Sequence, residues 1–83
     1  MGKMHGHGVQ TWKDGRKYDG EYFNGRKQRT GTFTFATGRK YVGQWYDGKQ
    51  HGFGVSIENG IERQGVWREG QVREWFVEFV DLK

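Results

Sequence analysis

The chain has 83 residues, of which 14 are aromatic and 15 are glycine, with one leucine, one alanine, no cysteine and a formal net charge of +4. That length allows one small domain, and so few aliphatic side chains exclude a helical bundle and leave ring stacking to replace the usual core. Without cysteine there is no disulfide or thiol chemistry. No run is long enough to span a membrane and no early apolar segment reads as a signal peptide, so the expectation is a soluble, cytoplasmic chain.

Taken in chain order, Met1-Gly2 falls where Asn24-Gly25 falls one period later, so the chain opens at a hairpin turn without the strand before it. The expectation is a piece of a longer array, whose strand from about Lys3 to Trp12 has an unpaired edge. HGHGVQTWKDGRK from His5, QRTGTFTFATGRK from Gln28 and HGFGVSIENGIE from His51 are three versions of one half-repeat. The other half is YDGEYFNGRK from Tyr18, which returns 23 residues later as YVGQWYDGKQ from Tyr41. QGVWREG from Gln64 restarts it 22 residues on, because the third copy lacks one residue before Asn59. The expected organisation is one domain over 1–83: a partial repeat at 2–17, repeats at 18–40 and 41–62, and a degenerate terminal repeat at 63–83. A period of this size indicates an array whose units cannot stand alone.

Asn24-Gly25 and Asp47-Gly48 are type I′ turn dipeptides flanked by strand-favouring residues, and Asp14-Gly15, Thr37-Gly38 and Asn59-Gly60 punctuate the other ends. Each repeat is therefore a β-hairpin, and the predicted fold is all-β: a single-layer, elongated, twisted stack of antiparallel hairpins. By the two-residue period Tyr18, Gly20 and Tyr22 share one face, as do Tyr41, Gly43 and Trp45. A glycine between two aromatics leaves room for a neighbouring strand's ring. After Gly70, EWFVEFVDLK fits either a short amphipathic helix carrying Val72, Trp75, Phe76, Phe79 and Val80, or a closing strand. Either way it caps the core or meets a partner.

These residues resemble the MORN (membrane occupation and recognition nexus) repeats, with a pattern of roughly Y-x-G-x-W-x-x-G-x-x-H-G-x-G, a variable strand and D-G. The pattern maps onto Tyr41, Gly43, Trp45, Gly48, His51, Gly52, Gly54 and Asn59-Gly60. The Tyr18 copy departs from it with Gln28-Arg29 in place of His-Gly, and the Gln64 copy keeps Gly65, Trp67 and Gly70 before the pattern stops. The resemblance implies a non-catalytic scaffold module that contacts proteins, self-associates or sits peripherally at a membrane or the cytoskeleton.

Little in the chain suggests catalysis. One serine, three histidines and no cysteine leave scant material for a nucleophile, so no catalytic residue is assigned. His5 and His7 have metal-ligand spacing, yet His5 and His51 share a repeat position, and packing near the turn explains them better. Asp19 and Glu21 imitate a carboxylate pair, but the next repeat has Val42 and Gln44 there. Gly6/Gly8 and Gly52/Gly54 lack the helix that a phosphate loop requires. No cofactor, metal, nucleic acid or small-molecule substrate is expected.

Two partner classes remain. An inner surface showing Tyr18, Tyr22, Tyr41, Trp45 and Trp67, continued by Trp75 and Phe76, suits an extended or helical peptide, although rings that fill the core do so whatever the function. Charge suggests the second. Residues 1–49 carry ten basic and four acidic side chains, a balance of +6, whereas residues 50–83 carry four and six, or −2. Arg16-Lys17 and Arg39-Lys40 recur at one edge of the stack, while Arg26, Lys27 and Arg29 gather with Lys3 and Lys49 near the other. Such a stripe suits anionic phospholipid, at about 1 kcal/mol per basic residue.

Overall fold

The computed structural model describes residues 3–76. Seven strands, β1 Gly6–Thr11, β2 Lys17–Phe23, β3 Arg26–Thr34, β4 Lys40–Tyr46, β5 Lys49–Glu58, β6 Ile61–Arg68 and β7 Gln71–Trp75, form one open antiparallel sheet in chain order. There is no helix among the described residues, and the stack measures 59 × 24 × 18 Å. The all-β hairpin stack expected from the period is the observed architecture. Of the helix-or-strand alternatives for 72–82, the strand holds as far as Trp75, and residues 77–83 lie outside the described residues.

Turn chemistry sets the register. Asn24 and Gly25 have φ of 56° and 82°, and Asp47 and Gly48 55° and 85°, the left-handed pair that a type I′ turn needs. At the other end of the hairpins the first two loops hold three residues, closed by Trp12 N–H to the Arg16 carbonyl at 2.9 Å and Phe35 N–H to the Arg39 carbonyl at 2.7 Å. The residue missing before Asn59 shortens the third loop to Asn59-Gly60, and Glu58 pairs directly with Ile61. The drop in period from 23 to 22 is thus an exchange of turn type.

The core lies on one face. Tyr18 pairs with Phe33, Phe33 with Tyr41, Gly20 with Gly31, and Gly31 with Gly43, so rings and glycines form rows across the strands. Tyr18 and Tyr41 are fully buried, and Tyr22, Trp45 and Trp67 nearly so. Each tyrosine folds back over the glycine two residues on in its own strand and over that glycine's partner, Tyr18 over Gly20 and Gly31, Tyr41 over Gly43 and Gly54. The space a glycine leaves is therefore filled by its own strand's ring as well as by a neighbour's. A Cβ on Gly43 would sit 2.5 Å from Gly54 Cα and 2.8 Å from the Tyr41 hydroxyl oxygen.

The second strand of each hairpin bulges where three residues oppose one, between Gly20/Tyr22 on β2 and Gly43/Trp45 on β4. Gly52 occupies the bulge in β5 with φ 96°, and Arg29 occupies it in β3 with φ 64°. The left-handed region costs a residue with a Cβ about 1–2 kcal/mol, so Arg29 is locally unfavourable. Arg29→Gly is expected to stabilise the fold by about 0.5–1 kcal/mol after the unfolded-state entropy of glycine is deducted. Gly43→Ala should destabilise it by about 2–3 kcal/mol through overpacking. Urea midpoints of the two variants test both.

Candidate functional site

The aromatic face is built around five interior rings. Tyr18 meets Tyr22 at 5.2 Å and Trp45 at 5.4 Å between centroids, Tyr41 meets Trp45 at 5.3 Å and Trp67 at 4.8 Å, and Trp67 meets Trp75 at 5.4 Å, all edge-on. Their polar ends are satisfied inside the sheet. The Tyr18 hydroxyl donates to the Glu21 carbonyl at 3.0 Å, Tyr41 to the Gln44 carbonyl at 2.8 Å, and Trp45 Nε1–H to the Gly31 carbonyl at 3.1 Å. Tyr22 donates to Gln10 Oε1 at 3.2 Å. Of the seven aromatics expected to form a partner surface, these five are thus interior and reach a partner only through what surrounds them. Trp75 is half-buried at the end of the row. Phe76 is 42 % exposed and lies 6.1 Å from Phe53, on the opposite face of the sheet.

The rings that line this face above the core are Trp12, Phe33 and Phe35, which sequence reasoning did not single out. The signal was present, since Trp12 and Phe35 are 23 residues apart in the half-repeat treated as variable. Lys27 stands among them, its Nζ 5.4 Å from the Tyr18 centroid, 5.6 Å from Trp45, 5.8 Å from Phe33 and 5.9 Å from Trp12. Four rings around one ammonium stabilise the cation while removing its water. Desolvation, then the nearby Arg16 charge, pulls the Lys27 pKa down. Beside it a depression of about 280 Å³ is lined by Lys27, Phe33, Phe35, Trp45, Lys49 and Gln50, with Gly48 and Gly70 at its edge. Gln50 holds the repeat position of Lys27, so the lysine fills one unit and the next stays open. Farther along, a depression of about 400 Å³ is lined by Ser56, Glu58 and Trp75 together with Arg39 and Arg63. The two guanidinium groups lie 4.0 Å and 3.8 Å from the Phe35 and Trp75 ring centroids.

The basic residues do not form one continuous stripe. Arg16 stacks on Trp12 at 5.0 Å and its Nε donates to Asp14 Oδ2 at 2.9 Å; the Arg16 backbone N–H and guanidinium hold the Asp14 carboxyl below its usual range. Arg26 pairs with Asp47 at 2.5 Å and Arg29 lies 3.9 Å from Glu21. Such exposed pairs contribute little to stability. Lys17 and Lys40 both oppose Thr34, putting them two strands apart, about 10 Å, on the other face from the rings.

The histidines and carboxylates hold the frame together. His5 Nδ1 accepts the Asn24 N–H at 3.2 Å, and Gln28 Oε1 accepts the Asp47 N–H at 3.1 Å. Glutamine at position 28 therefore performs the turn-fastening task of the histidine it replaces. The turn glycines add a second tie one period back, Gly25 N–H to the Met4 carbonyl, Gly48 to Lys27 and Gly70 to Gln50, each at 2.9 Å. Asp19 accepts from His7 at 2.6 Å and Glu21 from Thr30 at 2.9 Å, both on the solvated face. Among the described residues no group of three histidines, cysteines or carboxylates could hold a metal, and no helix is long and apolar enough to cross a membrane.

Repeated hairpins, a glycine-tyrosine row and turns clasped one period back define a β-hairpin repeat array. The MORN repeat family model matches residues 1–15, 18–38 and 41–57, and the chain belongs to that family. No curated protein matches it. The family is a non-catalytic repeat module that mediates protein or membrane interactions.

Burial raises the phenol pKa values of Tyr18 and Tyr22, and pushes Tyr41 up from 10.0 to about 12. The folded chain keeps protons that the unfolded chain releases near pH 10, so the stability they confer is complete below pH 10 and is lost as pH rises toward 12. Urea titrations at stepped pH, with phenolate absorbance read in parallel, should show the midpoint falling across that window together with late-ionising tyrosines. In Tyr41→Phe the alkaline fall should be shallower, with about 1 kcal/mol lost at neutral pH from the missing hydrogen bond.

Proposed function

We propose that the chain is a protein-interaction scaffold whose aromatic face receives an extended segment rich in carboxylates and large apolar side chains. The observation that carries this reading is the sequence of two depressions on one face, an apolar one beside Lys27 and a second between Arg39 and Arg63. Phe33, Phe35 and Trp45 would take an apolar side chain, and the three cations would meet acidic neighbours. Tyr18, Tyr22, Tyr41, Trp45, Trp67 and Trp75 support that surface from below. Selection of random peptides displayed against the folded chain should enrich acidic–apolar sequences. Arg39→Glu with Arg63→Glu should reduce their binding at least tenfold without loss of the fold, and Phe35→Ala should weaken it separately. Enrichment indifferent to the charge reversal would exclude the reading.

A second reading is peripheral binding to anionic phospholipid, at the membrane or cytoskeletal periphery of the cytoplasm. The observation in its favour is that Phe23 and Tyr46, 62 % and 60 % exposed, stand along one row of turns beside Lys3, Arg26 and Lys49. Rings with adjacent cations suit a headgroup layer. Arg16, Lys17, Arg26, Lys27, Arg29, Arg39 and Lys40 would supply the wider field, weakened where Asp14, Glu21 and Asp47 neutralise it. Flotation with phosphatidylserine vesicles should show salt-sensitive capture that Lys3→Ala, Arg26→Ala and Lys49→Ala together abolish; capture unaffected by these changes would exclude a basic-surface mechanism.

A further inference from the structure

The guanidinium groups of Arg39 and Arg63 rest on rings and keep their donors free. Arg39 has a counterpart one period earlier in Arg16, which stacks on Trp12 at 5.0 Å and is closed by Asp14: its Nε donates to Oδ2 at 2.9 Å and its backbone N–H to Oδ1 at 3.1 Å. In the next unit Arg39 stacks on Phe35 at 4.0 Å, and Thr37 stands in place of Asp14. The threonine keeps half of the aspartate's task. Its Oγ1 accepts the Arg39 backbone N–H at 3.4 Å, but it offers no carboxylate to the side chain. Arg63 is a second departure. In the row that runs Gln10, Tyr18, Phe33, Tyr41, Ser56, Arg63 across the sheet it takes the place of Tyr18 and Tyr41, and its guanidinium lies 3.8 Å from the Trp75 ring centroid. Among the described residues neither guanidinium has a carboxylate within ion-pair distance.

Ser56 is the third departure. Its counterparts in the row have long side chains that reach across the face, Gln10 to the Tyr22 hydroxyl at 3.2 Å and Phe33 to the rings of Trp12, Phe35 and Trp45. A serine does not reach, and the depression of about 400 Å³ opens over it, with Arg39 and Arg63 as its cations and Glu58 as its one carboxylate. A missing carboxylate, an added cation and a missing bulk thus meet at one place.

We propose that this depression binds the phosphoryl group of a phosphorylated side chain in the partner segment, which rests on the protein-interaction reading and names the group that the segment's acidic end carries. A guanidinium lying on a ring presents its N–H edge outward in a fixed plane, the geometry for forked contact with oxygen. One such fork satisfies a carboxylate. Two forks, with the Ser56 hydroxyl and the Asn59 amide in the same lining, match the three acceptor oxygens of a phosphoryl group and its charge of about −1.5 to −2 near neutral pH. Position favours a peptide over a bilayer as the source. The depression opens beside the loop before Arg39 and the Asn59-Gly60 turn, whereas the exposed rings of Phe23 and Tyr46 stand along the opposite row of turns.

Three randomised peptide libraries, alike except for a fixed central phosphoserine, serine or glutamate, test this on the full chain. The phosphoserine set should be captured about tenfold more strongly than the serine set, and more strongly than the glutamate set. Thr37→Asp, on an exposed turn, should give Arg39 the partner that Arg16 has, and Arg63→Tyr should return the row to its earlier pattern. Each should remove the phosphoserine preference without lowering the urea midpoint. Capture that ignores phosphorylation, or a preference that survives both substitutions, overturns the inference and leaves the acidic–apolar reading standing. A phosphoserine preference lost in both variants, with no enrichment of apolar residues around it, supports the phosphoryl site and counts against the apolar half of that reading. Absence of capture by any of the three sets overturns both. Phosphatidylcholine vesicles carrying phosphatidylinositol 4-phosphate that bind more tightly than the phosphopeptides, with the same loss in Arg63→Tyr, overturn the peptide source and assign the site to a lipid.

Discussion

The fold depends on a steric allowance. A tyrosine side chain cannot lie flat along its own strand unless the residue two positions on, and the residue facing that one, both lack a Cβ. Gly20 with Gly31 and Gly43 with Gly54 supply that pair of absences. Tyr18 and Tyr41 fill them completely, and each hydroxyl reaches a carbonyl three residues ahead in its own strand. A sheet with no second layer can thereby bury aromatic surface within itself. The tryptophans then close the row, because an indole edge set against a flattened phenol ring has the edge-to-face geometry that aromatic pairs prefer.

Function in such an array is a matter of what the core leaves over. Once the five interior rings are accounted for, the aromatic face offers a second tier from the less regular half-repeat, Trp12, Phe33 and Phe35, and a set of cations, Lys27, Arg39 and Arg63, that rest on rings. Lys27 marks the boundary between the filled and the open part of this face. It plugs one unit of the face with its own side chain, and the neutral Gln50 leaves the next unit open.

Much of this was legible in the residues because the repeat compares the chain with itself. The period located the hairpins, the Asn-Gly and Asp-Gly pairs fixed the turns, and alternation assigned the faces. Register was legible too, since glycine rows hold only one alignment. What escaped was depth. Alternation says which face Tyr18 or Trp45 occupies, but not that a single-layer sheet can bury them fully; that follows from ring folding over a glycine pair, which depends on side-chain torsions the pattern does not encode. Trp12 and Phe35 were missed because their half-repeat varies. The departure at Gln28 looked informative in sequence and proved equivalent in space, for an amide oxygen accepts the same N–H as an imidazole nitrogen. Arg29 is different: its left-handed backbone was visible only as a glycine not present.

Strand order identical to chain order has a mechanical corollary. The two edge strands carry opposite ends of the described chain, so tension applied between them runs along the inter-strand hydrogen bonds and not across them. Strands would then peel away pair by pair, and the clasps from each turn glycine to the preceding unit would yield in series. An array of this kind is a compliant tether that lengthens in steps under modest load, in contrast to a sheet whose terminal strands lie side by side and must shear all their bonds at once.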